Sequence, residues 1–125
     1  MIELVKVEGN TVGQIKAHEI LKKIVDPTTL LALSGGTSMD YAKMIVEPDD
    51  FAPGAICVVD ERYGEPFHKD SNEKLLMDFG IKEYADKECV ETIKYLVGRD
   101  FTETANVYEK RLKQLFDKFS KSVGV

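Results

Sequence analysis

The stretch that decides the fold is Leu30-Leu31-Ala32-Leu33-Ser34-Gly35-Gly36-Thr37-Ser38. Its leading part is a short, unbroken apolar run, which is typical of a strand buried on both faces of a parallel sheet. The glycines and hydroxyl side chains that follow predict a tight loop, and a helix is expected from about Ser38 to Val46. A strand that leads through a glycine-rich loop into a helix is the repeating unit of an α/β protein.

The rest of the chain alternates in the same way. A second buried strand is predicted at Ala55–Val59, and apolar residues at three- and four-residue steps predict amphipathic helices. Further strands are predicted at 2–7 and 92–97, and helices at 11–25, 38–46, 70–79 and 102–119. We therefore expect one domain, residues 1–125, with a Rossmann-like α/β layered fold and a largely parallel sheet. Ser122–Val125 is typical of the opening of another strand, so the fold is expected to be incomplete at its C-terminus.

Composition excludes several classes of partner. The 125 residues carry a net charge of -5, with the acidic residues spread along the chain. Nucleic acids and anionic membranes favour basic surfaces, so neither is expected to bind. No apolar run approaches the length of a membrane span, and the N-terminus is too polar for a signal peptide. Cys57 and Cys89 do not have the spacing of a zinc motif, so we expect a cytoplasmic protein without a metal, in which Cys57 is buried.

The loop after the Leu30–Leu33 strand has the chemistry of an anion cradle. Gly35 and Gly36 let the backbone approach a ligand, and the loop leads into a helix N-terminus, where negative charge is favoured. The hydroxyl groups of Ser34, Thr37 and Ser38 add donors, so the expected ligand is a phosphate group. The loop lacks a Gly-Lys-[Ser/Thr] ending and a full Gly-x-Gly-x-x-Gly fingerprint, so no nucleotide cofactor is expected. The alternative is a glycine-rich turn that binds nothing.

A charged loop, Asp60–Asn72, follows the second buried strand. Ligands of open parallel sheets bind beyond the carboxyl ends of the strands, where both loops are expected. Asp60 is a candidate catalytic carboxylate, suited to proton transfer or to holding sugar hydroxyls. Arg62 is a candidate for clamping a phosphate or carboxylate. A local salt bridge between Asp60 and Arg62 is the alternative interpretation.

Other polar residues near this loop have structural interpretations. Asp70-Ser71-Asn72-Glu73 fits a capping box, in which Asp70 caps a helix and Glu73 reaches back. His68 is interpreted as a surface loop histidine. His18, on the first predicted helix, is expected to be structural or to face solvent.

Together the two loops resemble one family of sugar-phosphate enzymes. Leu31-Ala32-Leu33-Ser34-Gly35-Gly36-Thr37-Ser38 is similar to the Leu-x-Leu-Ser-Gly-Gly-Ser-Thr-Pro segment of 6-phosphogluconolactonases. Val58-Val59-Asp60-Glu61-Arg62, followed by Asp70-Ser71-Asn72, is similar to their Asp-Glu-Arg-x-Val-Pro…Asp-Ser-Asn segment. The order Thr37-Ser38 is inverted relative to the family, Met39 stands where proline is usual, and Gly64 replaces a valine.

The resemblance implies a function and a set of site residues. The related glucosamine-6-phosphate isomerases usually read Asp-Glu-Tyr in the second motif, so Arg62 favours the lactonase branch. A lactonase hydrolyses 6-phosphoglucono-lactone. By resemblance, Asp60 and Arg62 would orient that substrate, and Ser34–Ser38 with Asn72 would line the sugar-phosphate pocket.

The resemblance also implies a missing catalytic group. In the lactonases the main base is a histidine in a later Gly-x-Asp-Gly-His segment, and neither His18 nor His68 lies in such a segment. Little or no lactonase activity is therefore expected of the 125-residue chain. Two alternatives stay open: an amino-sugar-phosphate isomerase in which Asp60 abstracts the proton, and a non-catalytic sugar-phosphate-binding module. An unfinished sheet would have an open edge, so self-association is also expected.

Overall fold

A computed structural model of the chain describes residues 2–35, 42–47 and 51–125. The strands in this part are β1 Thr29–Leu33, β2 Ala55–Val58, β3 Glu91–Thr92 and β4 Lys121–Gly124. The helices are α1 Asn10–Ile24, α2 Lys43–Val46, α3 Asn72–Asp78, α4 Ile81–Glu88 and α5 Phe101–Lys118. The strands form one sheet of order β3-β2-β1-β4 in which all pairs are parallel. The predicted α/β layered fold with a largely parallel sheet is confirmed.

The central strands explain the unbroken apolar runs. β1 lies between β2 and β4, and its Leu31 is level with Ile56 on one side and Val123 on the other. Leu30, Leu31 and all of β2 are buried, because helices flank the sheet and both faces of these strands meet the hydrophobic core. Strands buried on both faces need apolar side chains at successive positions rather than at alternate ones.

The predicted strand at residues 2–7 does not form. The segment is extended, but it pairs with no strand that the structure describes. Its apolar side chains stay exposed, and Ile2 retains 95% of its accessible surface. Apolar residues alone do not make a strand, because a strand also needs a neighbour to satisfy its backbone groups.

The region after α3 differs from the prediction in two ways. Gly80 ends α3 with a φ of 88°, as expected of a helix-terminating glycine, but a second helix, α4, starts at once. The predicted strand at 92–97 is short, since β3 ends at Thr92. Beyond it, the Tyr95 hydroxyl accepts the Val58 N–H at 2.5 Å and donates to the Val58 carbonyl at 3.3 Å. A side-chain hydroxyl thus replaces a neighbouring strand at the end of β2.

The C-terminal residues form a strand, as the sequence predicts. β4 extends the sheet beside β1, with Ala32 level with Gly124. Lys121 at the start of β4 donates to the Asp26 carboxylate at 2.5 Å and to the Ile24 carbonyl at 3.3 Å. These contacts, together with hydrogen bonds from Thr28, lower the pKa of Asp26. The tether joins the end of the chain to the connection between α1 and β1.

Candidate functional site

The two motif loops meet beyond the carboxyl ends of β1 and β2. The strands are parallel neighbours, and Leu33 is level with Val58. Gly35 then lies so close to Asn72 that a Cβ added to Gly35 would be 2.1 Å from the Asn72 Oδ1 atom. Any residue larger than glycine would displace the amide, so Gly35 is required here by a close approach between loops.

Asn72 is the polar residue that joins the loops. Its side chain is buried, with 1% of the residue exposed. The Nδ2 group donates to the Asp60 carbonyl at 2.9 Å, and the Oδ1 atom accepts from the Arg62 guanidinium at 3.2 Å. A buried amide with partners on both its donor and its acceptor fixes the position of the backbone around it.

Arg62 lies across the start of α3. Besides its bond to Asn72, its Nη1 group donates to the Asp70 carbonyl at 3.0 Å. Arg62 forms no ion pair with any carboxylate in the described part of the chain, so the predicted alternative, a salt bridge to Asp60, is absent there. The guanidinium is exposed and held by neutral acceptors, which leaves its positive charge available to an anion.

Glu61 is a site residue that the sequence prediction missed. Its carboxylate accepts from the Ser71 hydroxyl at 2.9 Å, the Asn72 N–H at 2.6 Å and the Glu73 N–H at 2.9 Å. These bonds satisfy backbone donors at the start of α3, where negative charge is also favoured. Glu61 therefore holds the strand-end loop against α3.

The predicted capping box is wrong in its residues. The N-cap is Ser71, whose hydroxyl accepts from the Lys74 N–H at 3.1 Å, and Asp70 does not cap the helix. Glu73 turns into the protein instead of reaching back, and its carboxylate accepts from the Tyr95 N–H at 3.3 Å. Burial raises the pKa of Glu73, and the nearby negative charge of Glu61 adds to this effect.

His68 stabilises the same loop. Its Nδ1 atom accepts from the Asp70 N–H at 3.2 Å, so its Nε2–H donates to the Arg62 carbonyl at 2.8 Å. A Cβ on Gly64 would lie 2.8 Å from the His68 ring, so the ring occupies the space that a valine side chain would need at position 64. His18 packs its ring against Phe51, with centroids 5.5 Å apart. Both histidines have structural contacts, in agreement with the structural interpretation of His18.

Asp60 differs from its neighbours. Its backbone carbonyl is bonded to Asn72, but no hydrogen bond or ion pair reaches its carboxylate from the residues that the structure describes. Asp60 is exposed and lines a cavity of about 150 Å³, which lies between the charged loop and α5. An unpaired carboxylate beside a cavity is available to a ligand.

Of the remaining predicted site residues, the structure describes the first two and leaves the other three undescribed. Ser34 and Gly35 follow β1, and the Ser34 N–H donates to the Val125 carbonyl at 2.8 Å. Gly36, Thr37 and Ser38 lie outside the described residues, as does the predicted start of the second helix.

The described part of the chain contains no group of three or more His, Cys, Asp or Glu residues placed to hold a metal ion. None of its helices is long and apolar enough to cross a membrane.

Comparison of the chain with models of protein families, with curated proteins and with solved structures finds no match. The site is therefore defined by its own geometry. Two loops at the carboxyl end of a parallel sheet are joined by Gly35 and Asn72, and neither Arg62 nor Asp60 has an ion-pair partner among the described residues.

Proposed function

We propose that the protein binds a sugar phosphate in the manner of a 6-phosphogluconolactonase. The observation that carries this proposal is the contact between the two motif loops, in which Gly35 meets Asn72 and Asn72 holds Arg62. Among the described residues, Arg62 has no acidic partner. An arginine of this kind, next to a glycine-rich loop that follows a parallel strand, is suited to a phosphate group.

In this proposal Arg62 and the loop Ser34–Ser38 hold the phosphate, and Asp60 orients the sugar hydroxyls. Asn72 positions Arg62 by accepting from its guanidinium. The chain contains no Gly-x-Asp-Gly-His segment, so we propose binding of the lactone or its hydrolysis product with little or no turnover by these 125 residues.

Isothermal titration calorimetry with 6-phosphogluconate and with gluconate tests the proposal. We expect the phosphate ester to bind and gluconate to bind at least about 10-fold more weakly, since charge-assisted hydrogen bonds to the phosphate are lost. Arg62→Ala should weaken binding by a similar factor. Arg62→Lys should restore part of it, because lysine keeps the charge but not the planar fork.

Lys69→Ala is the matched control, because it removes a positive charge from an exposed position of the same loop. It should leave the affinity within about twofold, as expected for a screened surface charge. Equal binding of gluconate and 6-phosphogluconate, or an equal loss of affinity in the Lys69 and Arg62 variants, would reject the proposal.

The unpaired carboxylate of Asp60 favours a second candidate function, an aldose–ketose isomerase acting on an amino-sugar phosphate. A carboxylate that acts as a general base must not be engaged in a structural ion pair. An assay for ammonia release from glucosamine 6-phosphate tests this function. Release that is abolished by Asp60→Asn supports it, and the absence of release from the unmodified protein rejects it.

Self-association and a cytoplasmic location stay predictions. β4 pairs with β1 alone among the described strands, so its outer edge offers backbone groups to a second chain. Light scattering that gives the mass of a single chain across a concentration series would contradict self-association through this edge.

A further inference from the structure

A cavity of about 150 Å³ lies between the charged loop and the first turns of α5. Neither Gly35 nor Asn72 lines it, and neither does Arg62. Its walls come from the charged loop, from the segment after β3 and from the first turns of α5. The lining residues are Asp60, Glu61, Tyr63, Tyr95, Leu96, Phe101, Thr104, Ala105 and Tyr108. The cavity thus shares Asp60 with the proposed sugar-phosphate site, but among the described residues it does not include the groups proposed to hold the phosphate.

Four of the nine lining residues are aromatic, and their rings form two pairs. The rings of Tyr63 and Phe101 are 5.4 Å apart at 78°, in an edge-to-face arrangement. The rings of Tyr95 and Tyr108 are 4.5 Å apart at 38°. The first pair is exposed at the mouth, since Tyr63 and Phe101 retain 49% and 66% of their surface.

The cavity is built to be rigid at its mouth. The Tyr63 hydroxyl donates to the Arg99 carbonyl at 2.8 Å, and the Thr104 hydroxyl donates to the same carbonyl at 3.2 Å. Asp100 caps α5 by accepting from the Glu103 N–H at 2.8 Å. These bonds join the charged loop to the start of α5 and hold the contacting rings of Tyr63 and Phe101 beside the cavity that both line.

Among the described residues that line the cavity, the charged ones are the acidic residues Asp60 and Glu61, and none is a lysine, arginine or histidine. Glu61 is engaged at the start of α3, but the Asp60 carboxylate has no hydrogen-bond or ion-pair partner in the part of the chain that is described. Aromatic faces together with an unpaired carboxylate attract organic cations.

We propose that this cavity binds a small organic ammonium compound, with the ammonium head group among the rings of Tyr63, Phe101 and Tyr108 and its charge facing Asp60. An apolar cavity of roughly 150 Å³ accepts one ligand the size of benzene, and a trimethylammonium group is of that size. The proposal does not depend on sugar-phosphate binding, because Gly35, Arg62 and Asn72 do not line this cavity and the readout is binding of an organic cation.

Choline and its neutral isostere 3,3-dimethyl-1-butanol are the probes, because they differ in charge but hardly in shape. Titration of the 125-residue protein is followed by calorimetry and by the NMR signals of the tyrosine rings. We expect saturable binding of choline, at least about 10-fold tighter than that of the alcohol. Added salt should weaken only the binding of choline. No saturable binding of choline, or equal binding of the alcohol, overturns the proposal.

Two variants locate the site, and one serves as a control. Phe101→Leu keeps an apolar side chain but removes a ring, and Asp60→Asn removes the charge; each should weaken choline binding by about threefold to 10-fold. Phe116→Leu is the matched control, because Phe116 is an exposed phenylalanine of α5 that does not line this cavity. Equal losses in the Phe101 and Phe116 variants overturn the assignment. Circular dichroism checks that each variant is folded, and chemical-shift changes at Tyr63 on adding choline to the unmodified protein provide a test that needs no variant.

Discussion

A Cβ built on Gly35 would lie 2.1 Å from the Oδ1 atom of Asn72, although Gly35 follows β1 and Asn72 begins α3. The two residues bring together loops that are distant in sequence. Because Asn72 also binds Arg62 and the Asp60 carbonyl, this contact fixes the position of both candidate ligand-binding residues.

Gly35→Ala should destabilise the protein by about 1–3 kcal/mol, because the added methyl group would overlap the buried side-chain amide of Asn72. Urea unfolding measures the change. Gly124→Ala is the control, since a Cβ there meets nothing within 4 Å, and it should cost less than about 0.5 kcal/mol. Combining Gly35→Ala with Asn72→Ala should cost less than the sum of the single changes, because the second substitution removes the atoms that clash. Additive costs would show that the contact is absent.

Replacing Glu61 should loosen the start of α3. Glu61→Ala removes the acceptor of three donors in the first turn of α3 and of the Arg62 N–H, and should cost about 1–2 kcal/mol of unfolding free energy. Glu65→Ala deletes an exposed acidic residue of the same loop and is the control for the change in charge. The unfolding free energy of both variants is measured in urea. A cost for Glu65→Ala that equals that of Glu61→Ala would mean that the capping role is wrong.

Glu73 should make stability fall as pH rises. Burial raises the pKa of Glu73 in the folded protein above its ordinary value of 4.5, so the folded state holds this proton more tightly than the unfolded state. Between 4.5 and the raised pKa the contribution of Glu73 to stability decreases with pH, and above that window the penalty is complete. Glu73→Gln removes the penalty, so its unfolding free energy relative to the unmodified protein should increase from pH 4 to pH 8.

Urea unfolding across that pH range measures the difference. Glu83→Gln, at an exposed position of α4, is the control and should give a difference that does not change with pH. A Glu73→Gln difference that is constant with pH, or that shrinks as pH rises, contradicts the burial of an ionised Glu73.

Tyr95→Phe should destabilise the end of β2. The hydroxyl accepts the buried Val58 N–H, and its loss leaves that donor without a partner, at a cost of about 1–3 kcal/mol. Tyr108→Phe is the comparison, because the Tyr108 hydroxyl donates to a Val58 carbonyl that also accepts from Tyr95, so its loss leaves no buried N–H unpaired and should cost less. Hydrogen exchange at the Val58 amide gives a local measurement, and exchange that is no faster in Tyr95→Phe than in the unmodified protein argues against the role of the hydroxyl.

The sheet was predictable because β1 and β2 are runs of apolar residues buried on both faces. α4 was not, because only Ile81, Tyr84 and Ala85 in it are buried and the rest of its sequence is mostly charged. The strand predicted at 92–97 has buried residues, such as Ile93 and Leu96, that pack without joining the ladder. The local sequence predicts which residues are buried, but it does not predict which group pairs with a given backbone N–H.

The candidate site was predictable as a pair of loops but not as a set of contacts. The sequence predicts Asp60, Arg62 and Asn72 as site residues, and the structure brings the side chains of Arg62 and Asn72 together. The role of Glu61 was missed because its partners in α3 lie more than a helical turn away in sequence, beyond the reach of a capping-box pattern. The spacing favoured Asp70, whereas the fold uses Ser71.

The ion pair between Lys121 and Asp26 joins residues 95 positions apart, and it lies at the start of β4, which pairs with β1. Strand pairs between distant segments form late, because the entropy cost of closing a long loop comes before the stabilising contacts are made. We therefore expect β1 to acquire β4 as its second neighbour late in refolding, after α5 has formed. The rate-limiting step should be the arrival of this strand, and changes at Lys121 should alter the refolding rate more than changes within α3.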